Sequence, residues 1–350
     1  MKREWKWFIL STGFALAFTL IIPMVMKLGD TDSTQMNVKM NQVNNFNASQ
    51  LGEQEQQLAL MTLPQHAKHK IVSIYMDQQE QIIQLPLEQY VMGVVAAEMP
   101  MDFHIEALKA QAIAARTYIV RRMMDQDRSH VPVDGALVTN TIYHQAFLTE
   151  EERKQQWGKQ YDAYNEKLQH AIAETKDMIM TYHDRPIEAS FFSTSNGFTE
   201  NSEDYWDKEL PYLRSVASPW DQRLSPKYEQ TQTFTLLEIQ QMLGLSSLST
   251  PTEEWYQLLS ATEGNRVNEV VIAGNTFSGR EVREKLKLPS SHFVWKMEED
   301  DVHITTYGYG HGIGMSQYGA QGMALEGKKA ADIVTYYYQQ IELKRIASSV

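Results

Sequence analysis

The chain has 350 residues, of which 43% are hydrophobic and 22% charged, and this composition is ordinary for a globular protein with a large core. Its formal net charge of −12 argues against a nucleic-acid-binding protein, because such proteins present clustered cations to the phosphates. The lack of cysteine in the sequence excludes disulfide bonds, a cysteine nucleophile and any metal site built on thiolates.

An uncharged apolar segment covers residues 7–26, with basic residues before it and Lys27 after it. A helix of this length is about long enough to span a bilayer, and the basic N-terminus predicts that this end stays in the cytoplasm. A cleaved signal peptide is the alternative, but no clear cleavage site of small residues follows the segment. The sequence therefore favours an uncleaved single-pass anchor in the cell membrane, with the bulk of the chain outside the cytoplasm.

Composition divides the chain into an anchor, a linker and a globular region. Residues 1–27 form the predicted cytoplasmic tip and transmembrane anchor, and residues 28–65, rich in Asn, Gln, Ser and Thr, are interpreted as a flexible linker. Residues 66–350 are expected to fold, with residues 220–300 as a smaller inserted lobe. Strands and helices do not alternate regularly, which favours an α+β fold with a helical core and short antiparallel strands over a doubly wound sheet.

Short apolar runs bounded by turn residues predict strands at 70–76, 80–85, 178–182, 187–193, 267–272, 292–297 and 302–307. Apolar residues at helical spacing, together with capping residues, predict helices at 87–98, 105–124, from 149 onward, 160–177, 236–243, 278–286, 316–325 and 328–339. Residues 140–148 are expected to form a loop or edge strand. The strands on either side of His183 to Pro186 are expected to pair as a hairpin.

Glu98 stands at the end of the first predicted helix, which Pro100 terminates. Its position falls on the apolar stripe of that helix, so the helix directs a carboxylate toward the interior. Burial and the negative end of the helix dipole both disfavour the ionised form and so raise the pKa of the carboxyl. A general acid that works near neutral pH needs such a raised pKa. The alternative is an ion pair that only closes the helix.

The second predicted helix is rich in alanine, which indicates close packing against a neighbouring helix. Lys109 and Arg116 are seven residues apart and share one face of this helix, so they are candidate cations near Glu98. A solvated basic flank is the alternative, and it is the commoner role for a residue such as Lys109.

Polar side chains cluster on a turn at residues 193–197. Hydroxyl and amide groups donate and accept hydrogen bonds in several directions, which suits sugar recognition, so Ser193, Thr194 and Ser195 are candidate binding residues. Turn geometry alone is the alternative and is the expected role of Gly197. Glu203, in the acidic segment that follows, is a candidate second acid, although a solvated charge is the commoner role.

The block at residues 308–317 contains four glycines between a predicted strand and a predicted helix. Its spacing does not match the dinucleotide fingerprint from either Gly308 or Gly310, and it contains no Walker lysine. The glycines instead allow close backbone approach, and the helix start offers free N–H groups. The candidate binding residues here are His311, Ser316 and Gln317. For His311, a single structural hydrogen bond is the alternative.

Three blocks in this order resemble the stage II sporulation protein D family: VMGVVAAEMP with EALKAQAIAARTY, FFSTSNGFTENSEDYW and GYGHGIGMSQYGAQGMA. The resemblance extends from about residue 70 to the C-terminus. It implies a lytic transglycosylase of peptidoglycan that acts at the sporulation septum and on the engulfing membrane of the forespore. Some relatives carry a zinc site that contains cysteine, which this chain cannot build; no metal or other cofactor is expected.

The resemblance also implies a reaction with one acid. Glycoside hydrolysis normally uses two carboxylates, whereas in a lytic transglycosylase the muramic acid O6 hydroxyl attacks its own C1. Glu98 is expected to act as the acid and base, with Lys109 and Arg116 orienting the substrate or stabilising charge. The implied substrate is a glycan strand lacking stem peptides, made available by an amidase partner, and membrane proteins are further expected partners.

Two other functions remain open from the sequence. The family also includes proteins described as amidase enhancers, so the chain is alternatively a non-catalytic wall-binding scaffold that recruits or stimulates an amidase. Such a scaffold should tolerate glutamine at position 98. Metal-dependent hydrolysis has little support, because the ten histidines are scattered and the His66 and His69 pair has no carboxylate nearby.

Overall fold

A computed structural model of the chain describes residues 70–141, 143–206, 208–245, 255–298 and 301–346. The predicted anchor, the predicted linker and the pair of His66 and His69 lie outside these residues. The described part is a mixture of helices and short strands, which confirms the predicted α+β class. None of the helices in this part is long and apolar enough to cross a membrane.

The helices of the described residues are α1 (Leu87–Glu98), α2 (Ile105–Asp125), α3 (Glu150–Trp157), α4 (Tyr161–Glu174), α5 (Glu203–Trp206), α6 (Asp221–Leu224), α7 (Leu236–Leu243), α8 (Gly279–Leu286), α9 (Gln317–Leu325) and α10 (Ala330–Tyr337). The strands are β1 (Ile71–Met76), β2 (Gln81–Pro86), β3 (Val138–Thr139), β4 (Met178–Tyr182), β5 (Arg185–Pro186), β6 (Phe191–Phe192), β7 (Glu229–Thr235), β8 (Tyr256–Ala261), β9 (Val267–Ile272), β10 (Asn275–Ser278), β11 (Phe293–Glu298), β12 (Asp301–Tyr307), β13 (Met315–Ser316) and β14 (Glu342–Arg345).

The strands form small separate sheets rather than one large sheet. Their orders are β2-β1-β3, β14-β4-β5, β13-β6, β11-β12-β7 and β10-β9-β8. Most pairs are antiparallel, as predicted, but β1 pairs with β3 and β6 pairs with β13 in parallel. Because the sheets are small, the helices provide most of the framework on which the polar blocks are mounted.

The predicted hairpin of 178–182 with 187–193 is wrong in its second strand. The strand β4 turns back through only the two residues of β5. The chain then leaves the sheet, and Phe191 and Phe192 pair instead with Met315 and Ser316. This long-range pairing cannot be predicted from the local sequence pattern. It places the polar blocks at 193–197 and 308–317 side by side.

The larger hydrophobic core surrounds α2, which contacts α1, α4, α9, α10 and β4. Five alanines of this helix are fully buried: Ala107, Ala110, Ala112, Ala114 and Ala115. Since interaxial distance depends on the side chains at the contact, these alanines let the neighbouring helices approach closely. The packing agrees with the prediction of close contact around an alanine-rich helix.

A second, smaller hydrophobic core lies within residues 239–304. Apolar side chains from α7, α8, β9 and β12 form its centre, and Ile239, Val270, Val282 and Ile304 are fully buried there. The two sheets that frame this core contain β7 and β8, which were not predicted, because β7 is largely polar and the apolar residues of β8 do not alternate with polar ones. The domain boundaries drawn from the sequence stay predictions.

Candidate active site

Glu98 is the last residue of α1, and Met99 leaves the helix in an extended conformation. The stripe that was predicted to face inward is fully buried at Val91, Val94 and Val95. Glu98 continues this stripe to the helix end, where its side chain is half-buried. The helix therefore ends with the carboxyl at the border of the buried core.

Both oxygens of the Glu98 carboxyl accept hydrogen bonds. The backbone N–H of Ala146 donates to Oε1 at 3.0 Å, and Nε2 of Gln317 donates to Oε2 at 3.3 Å. The loop that contains Ala146 lies directly against α1, because a Cβ at Gly93 would come within 2.2 Å of the Phe147 ring. Two chain segments far apart in the sequence thus meet at one acid.

Burial raises the pKa of Glu98, and the hydrogen bonds from Ala146 and Gln317 oppose this shift without cancelling it. The carboxyl therefore keeps its proton to a higher pH than an exposed glutamate does. Such a group can give a proton to a neighbouring oxygen and, once ionised, can accept one. The arrangement is suited to general acid–base chemistry.

Replacing Gln317 with methionine is expected to raise the pKa of Glu98 further, because an amide donor that favours the ionised carboxylate is lost. An NMR titration of side-chain-labelled glutamate measures this, with the Glu98 resonance assigned from its disappearance in Glu98→Gln. Gln321→Met is the matched control, since Gln321 lies on the same helix but accepts from the His104 N–H. A lowered pKa in Gln317→Met would contradict the assignment of Gln317 as a donor to Glu98.

Arg116 does not lie beside Glu98, contrary to the expectation from the sequence. Its guanidinium is fully buried and pairs with both oxygens of Glu88, at 3.0 and 2.6 Å. It also donates to the carbonyl oxygen of Met178, at 3.2 Å. Glu88 is ten residues from Glu98, or about 15 Å along the helix axis. Arg116 therefore joins α1, α2 and β4 as a structural ion pair.

Lys109 is likewise held away from Glu98 by other carboxylates. Its Nζ lies 3.0 Å from Glu106 and 2.7 Å from Glu174, and its side chain is largely buried. These contacts tie α2 to the end of α4. Lys109 thus neutralises structural carboxylates, and the shared helical face of Lys109 and Arg116 points to the core rather than to the acid.

The turn at 193–197 is mostly inside the protein. Thr194 and Ser195 are fully buried, with the Thr194 hydroxyl 2.7 Å from that of Ser225 and the Ser195 hydroxyl donating to the Ser218 carbonyl. Ser193 is half-buried, and its carbonyl oxygen accepts from the backbone N–H of Tyr318. The hydroxyls of Thr194 and Ser195 thus stabilise the turn, and of the three only Ser193 is partly open to a ligand.

The glycines of the block 308–317 are required by the backbone itself. All four have positive φ angles, between 76° and 117°. At Gly312 a Cβ would lie 2.3 Å from the buried guanidinium of Arg266, and at Gly308 it would lie 2.9 Å from the Thr194 carbonyl oxygen. The close backbone approach predicted for this block is therefore an approach to the protein's own chain.

Ser316 and Gln317 connect this block to the acid. Ser316 caps α9 by accepting from the Gly319 N–H, and its hydroxyl donates to the buried Asp221. The cap holds the first turn of α9 in place, and Gln317 is the first residue of that turn. Ser316 is fully buried and structural, whereas Gln317 reaches Glu98 itself.

His311 lies beside aromatic rings that the sequence reasoning did not assign. Its ring centroid is 5.8 Å from that of Tyr205 and 6.0 Å from that of Trp206. Its Nδ1 accepts from the Ile313 N–H at 2.9 Å. Burial, together with the nearby Arg283 and Arg266, lowers the pKa of His311 to about 3. The imidazole is therefore neutral at physiological pH and serves as a hydrogen-bonding group rather than a proton switch.

Glu203 is not arranged as a second acid. Arg214 pairs with both of its oxygens, one of them at 3.0 Å, and this pairing keeps the pKa of Glu203 below its ordinary value despite partial burial. The features that sequence reasoning missed are the Ala146 N–H, which has no side-chain signal, and the rings of Tyr205 and Trp206. Adjacent aromatic residues in an otherwise polar, acidic segment were a usable signal for the latter.

Comparison with known proteins agrees with the three sequence blocks. A family model described as stage II sporulation protein matches residues 75–182. The chain is 48% identical over 272 residues to the stage II sporulation protein D of Bacillus subtilis, and this alignment covers 78% of each of the two proteins. It is 47% identical over 277 residues to the stage II sporulation protein D of Bacillus amyloliquefaciens, with 79% of each protein covered. It is 24% identical over 307 residues to a Bacillus subtilis protein named amidase enhancer, covering 70% of this chain and 39% of that protein. The chain belongs to the stage II sporulation protein D family.

Proposed function

We propose that this chain is a lytic transglycosylase that cleaves peptidoglycan glycan strands, preferably strands without stem peptides, to 1,6-anhydromuramic ends during engulfment. The observation that carries this proposal is the half-buried carboxyl of Glu98, held by two donors and with a raised pKa. Membership of a sporulation protein family and the distant likeness to an amidase enhancer support a role on the cell wall.

In the proposed reaction Glu98 acts twice. As the bond between muramic C1 and the glycosidic oxygen breaks, the protonated carboxyl gives its proton to that leaving oxygen. The O6 hydroxyl of the same sugar attacks C1, and the Glu98 carboxylate takes the O6 proton, which regenerates the acid. Burial favours the protonated form for the first step, while the donors from Ala146 and Gln317 stabilise the carboxylate formed in between.

The products of cleavage are expected to be lighter by one water than those of a lysozyme-type hydrolase. The reason is that O6 replaces water as the nucleophile, so no water enters the glycan. Mass spectrometry of peptide-free glycan strands after digestion measures this difference. A hydrolase needs a second carboxylate to activate water or to act as nucleophile, and Glu203 is unsuited to that role because Arg214 holds it ionised.

Hydrated reducing ends would overturn the transglycosylase proposal. If they appeared together with loss of activity in Glu203→Gln, the enzyme would be a hydrolase with two carboxylates. Anhydro ends that persist in Glu203→Gln and vanish in Glu98→Gln are the expected combination.

The second candidate function is a non-catalytic wall-binding scaffold that recruits or stimulates an amidase. The likeness to a protein named amidase enhancer favours it. A scaffold does not depend on proton transfer by Glu98, so its function would tolerate glutamine at this position. Measuring amidase activity with and without this chain, in wild-type and Glu98→Gln forms, separates a stimulating scaffold from an enzyme that consumes the products of an amidase.

We further propose that residues 7–26 attach the chain to the cell membrane, with the C-terminal region outside the cytoplasm at the sporulation septum and engulfing membrane. The uncharged segment behind a basic N-terminus supports this topology. The mature protein is expected to keep its original N-terminus, which mass spectrometry of the purified membrane fraction checks. A mature N-terminus near residue 30 would instead mean a cleaved signal peptide.

A further inference from the structure

Tyr90 of α1 is buried and contacts both sequence neighbours of Ala146. Its hydroxyl donates a hydrogen bond to Oε1 of Gln145 at 3.0 Å. Its ring stacks on that of Phe147, with the ring centroids 5.9 Å apart and the two planes at 11°. Ala146 stands between these two residues, and its N–H is one of the donors to Glu98. One side chain therefore holds the loop on each side of a donor to the acid.

The contact between this loop and α1 continues beyond Tyr90. The backbone N–H of Leu148 donates to the carbonyl oxygen of Gly93 at 3.1 Å. The Phe147 ring lies against Gly93, where a Cβ would come within 2.2 Å of it. Residues 145–148 thus rest on a stretch of α1 about one helical turn long.

The Tyr90 hydroxyl keeps its proton and so remains a donor to Gln145. Burial raises the pKa of Tyr90 well above its ordinary value; Tyr118 and Glu98 add to this increase, and Arg122 opposes it. Gln145 is buried as well, so loss of the hydroxyl would leave its amide oxygen without this donor. An unpaired buried oxygen favours a rearranged loop, and the N–H of the next residue moves with it.

Tyr90 acts on the acid through the loop. It lies eight residues before Glu98 on α1, which is about 12 Å along the helix axis. The helix fixes these two residues relative to each other, so the loop is the part that can shift. A hydrogen bond from an N–H to a carboxylate is sensitive to such a shift, because it weakens steeply as its angle departs from the preferred range.

We infer that Tyr90 is a positioning residue for the proposed reaction: by holding Gln145 and Phe147, it directs the Ala146 N–H toward Oε1 of Glu98. The inference rests on the proposed function for the use of this donor, which stabilises the carboxylate formed between the two proton transfers.

The test compares Tyr90→Phe with the unmodified chain by NMR, without any glycan, on full-length protein in detergent with labelled alanine and glutamate. The Ala146 amide resonance is assigned from its disappearance in Ala146→Gly. In the unmodified chain this resonance is expected to shift with pH as Glu98 ionises, because the carboxylate accepts from it. In Tyr90→Phe the pH-dependent shift is expected to fall by about half or more. The pKa of Glu98 is expected to rise, because a donor that favours the ionised form is weakened.

Tyr212→Phe is the matched control. Tyr212 is another buried tyrosine, and its hydroxyl accepts from the backbone N–H of Glu188 at 3.2 Å. This variant also removes a hydrogen-bonded hydroxyl from a buried site, but the Ala146 resonance and the pKa of Glu98 are expected to stay as they are in the unmodified chain. A general loss of stability would affect both variants, whereas a loss of positioning affects Tyr90→Phe alone.

Phe147→Leu gives a second measurement if Tyr90→Phe does not fold. It keeps an apolar side chain near Gly93 but removes the ring that stacks on Tyr90, so the pKa of Glu98 is again expected to rise. An unchanged pH-dependent shift of Ala146 in folded Tyr90→Phe, or in Phe147→Leu where only that variant folds, overturns the inference.

Cleavage of peptide-free glycan strands separates this inference from the proposed function. Tyr90→Phe is expected to lower kcat by about tenfold while KM stays within about twofold, because the donor acts on the charge that forms during the reaction. If the unmodified chain cleaved glycan and Tyr90→Phe had the same kcat and the same pH profile, the positioning role alone would fail. If the NMR changes occurred but the unmodified chain did not cleave glycan, the positioning of the donor would stand and the transglycosylase proposal would fail.

Discussion

Glu98→Gln is expected to reduce cleavage of peptide-free glycan strands by about 10²–10⁴-fold, the usual contribution of general acid–base catalysis. Glutamine has the same shape but can neither give nor take the proton that the proposed reaction transfers. The fold should survive, because the side chain is half-buried at a helix end and the substituted amide removes a desolvated acid rather than an apolar contact. Release of soluble glycan fragments over time measures the rate, and circular dichroism checks the fold.

Glu203→Gln is the control for this experiment, since Glu203 is a partly exposed glutamate that Arg214 keeps ionised. Its rate of cleavage should remain close to that of the unmodified chain. If Glu98→Gln cleaved at the unmodified rate, the transglycosylase assignment would be lost and the scaffold function would be favoured. If both variants lost activity with hydrated products, the reaction would be hydrolysis.

Glu88→Ala is expected to lower the free energy of unfolding by about 3 kcal/mol or more, although Glu88 lies far from the acid. Arg116 is fully buried, and Glu88 is its carboxylate partner, at 2.6 Å. Removing one partner of a buried ion pair leaves an uncompensated charge, which typically costs about 3–5 kcal/mol. Urea denaturation followed by circular dichroism gives the change in the unfolding free energy.

Lys296→Ala is the matched control for the ion pair, because Lys296 pairs with Glu298 on the surface, where both side chains are more than half exposed. An exposed pair of this kind should change the unfolding free energy by less than about 1 kcal/mol. If Glu88→Ala were as stable as Lys296→Ala, the structural role given to Arg116 would be wrong, and an orienting role for that arginine at the substrate would need to be reconsidered.

Features that depend on neighbouring residues in the chain were predictable from the sequence. The apolar stripe of α1 ends in Glu98, and Pro100 follows, so both the helix and the inward direction of the acid were predictable. The capping box of Thr149 and Glu152 located the start of α3, and Ser278 located that of α8. These signals act within one turn of helix, where local propensity and spacing decide the structure.

The sequence also identified the polar blocks but not the roles of their residues. Hydroxyl groups on a turn suggested sugar binding, yet Thr194 and Ser195 are fully buried and satisfied within the protein. Likewise a shared helical face suggested that Arg116 and Lys109 serve the acid, whereas both are paired with carboxylates elsewhere. The spacing of residues along a helix shows which of them share a face. It does not show whether that face lines a cleft or packs against the core, because the same spacing occurs in both.

The groups that surround the acid could be identified only from the packing of distant chain segments. The parallel pairing of β6 with β13 aligns two blocks that are distant in the chain, and α9 then brings Gln317 to Glu98. The Ala146 N–H arrives from a loop that lies on Gly93 of α1. Backbone donors and long-range strand pairs have no periodicity in sequence. Their positions follow from how the helices pack around α2, and that packing sets the burial of Glu98 and with it the raised pKa of the carboxyl.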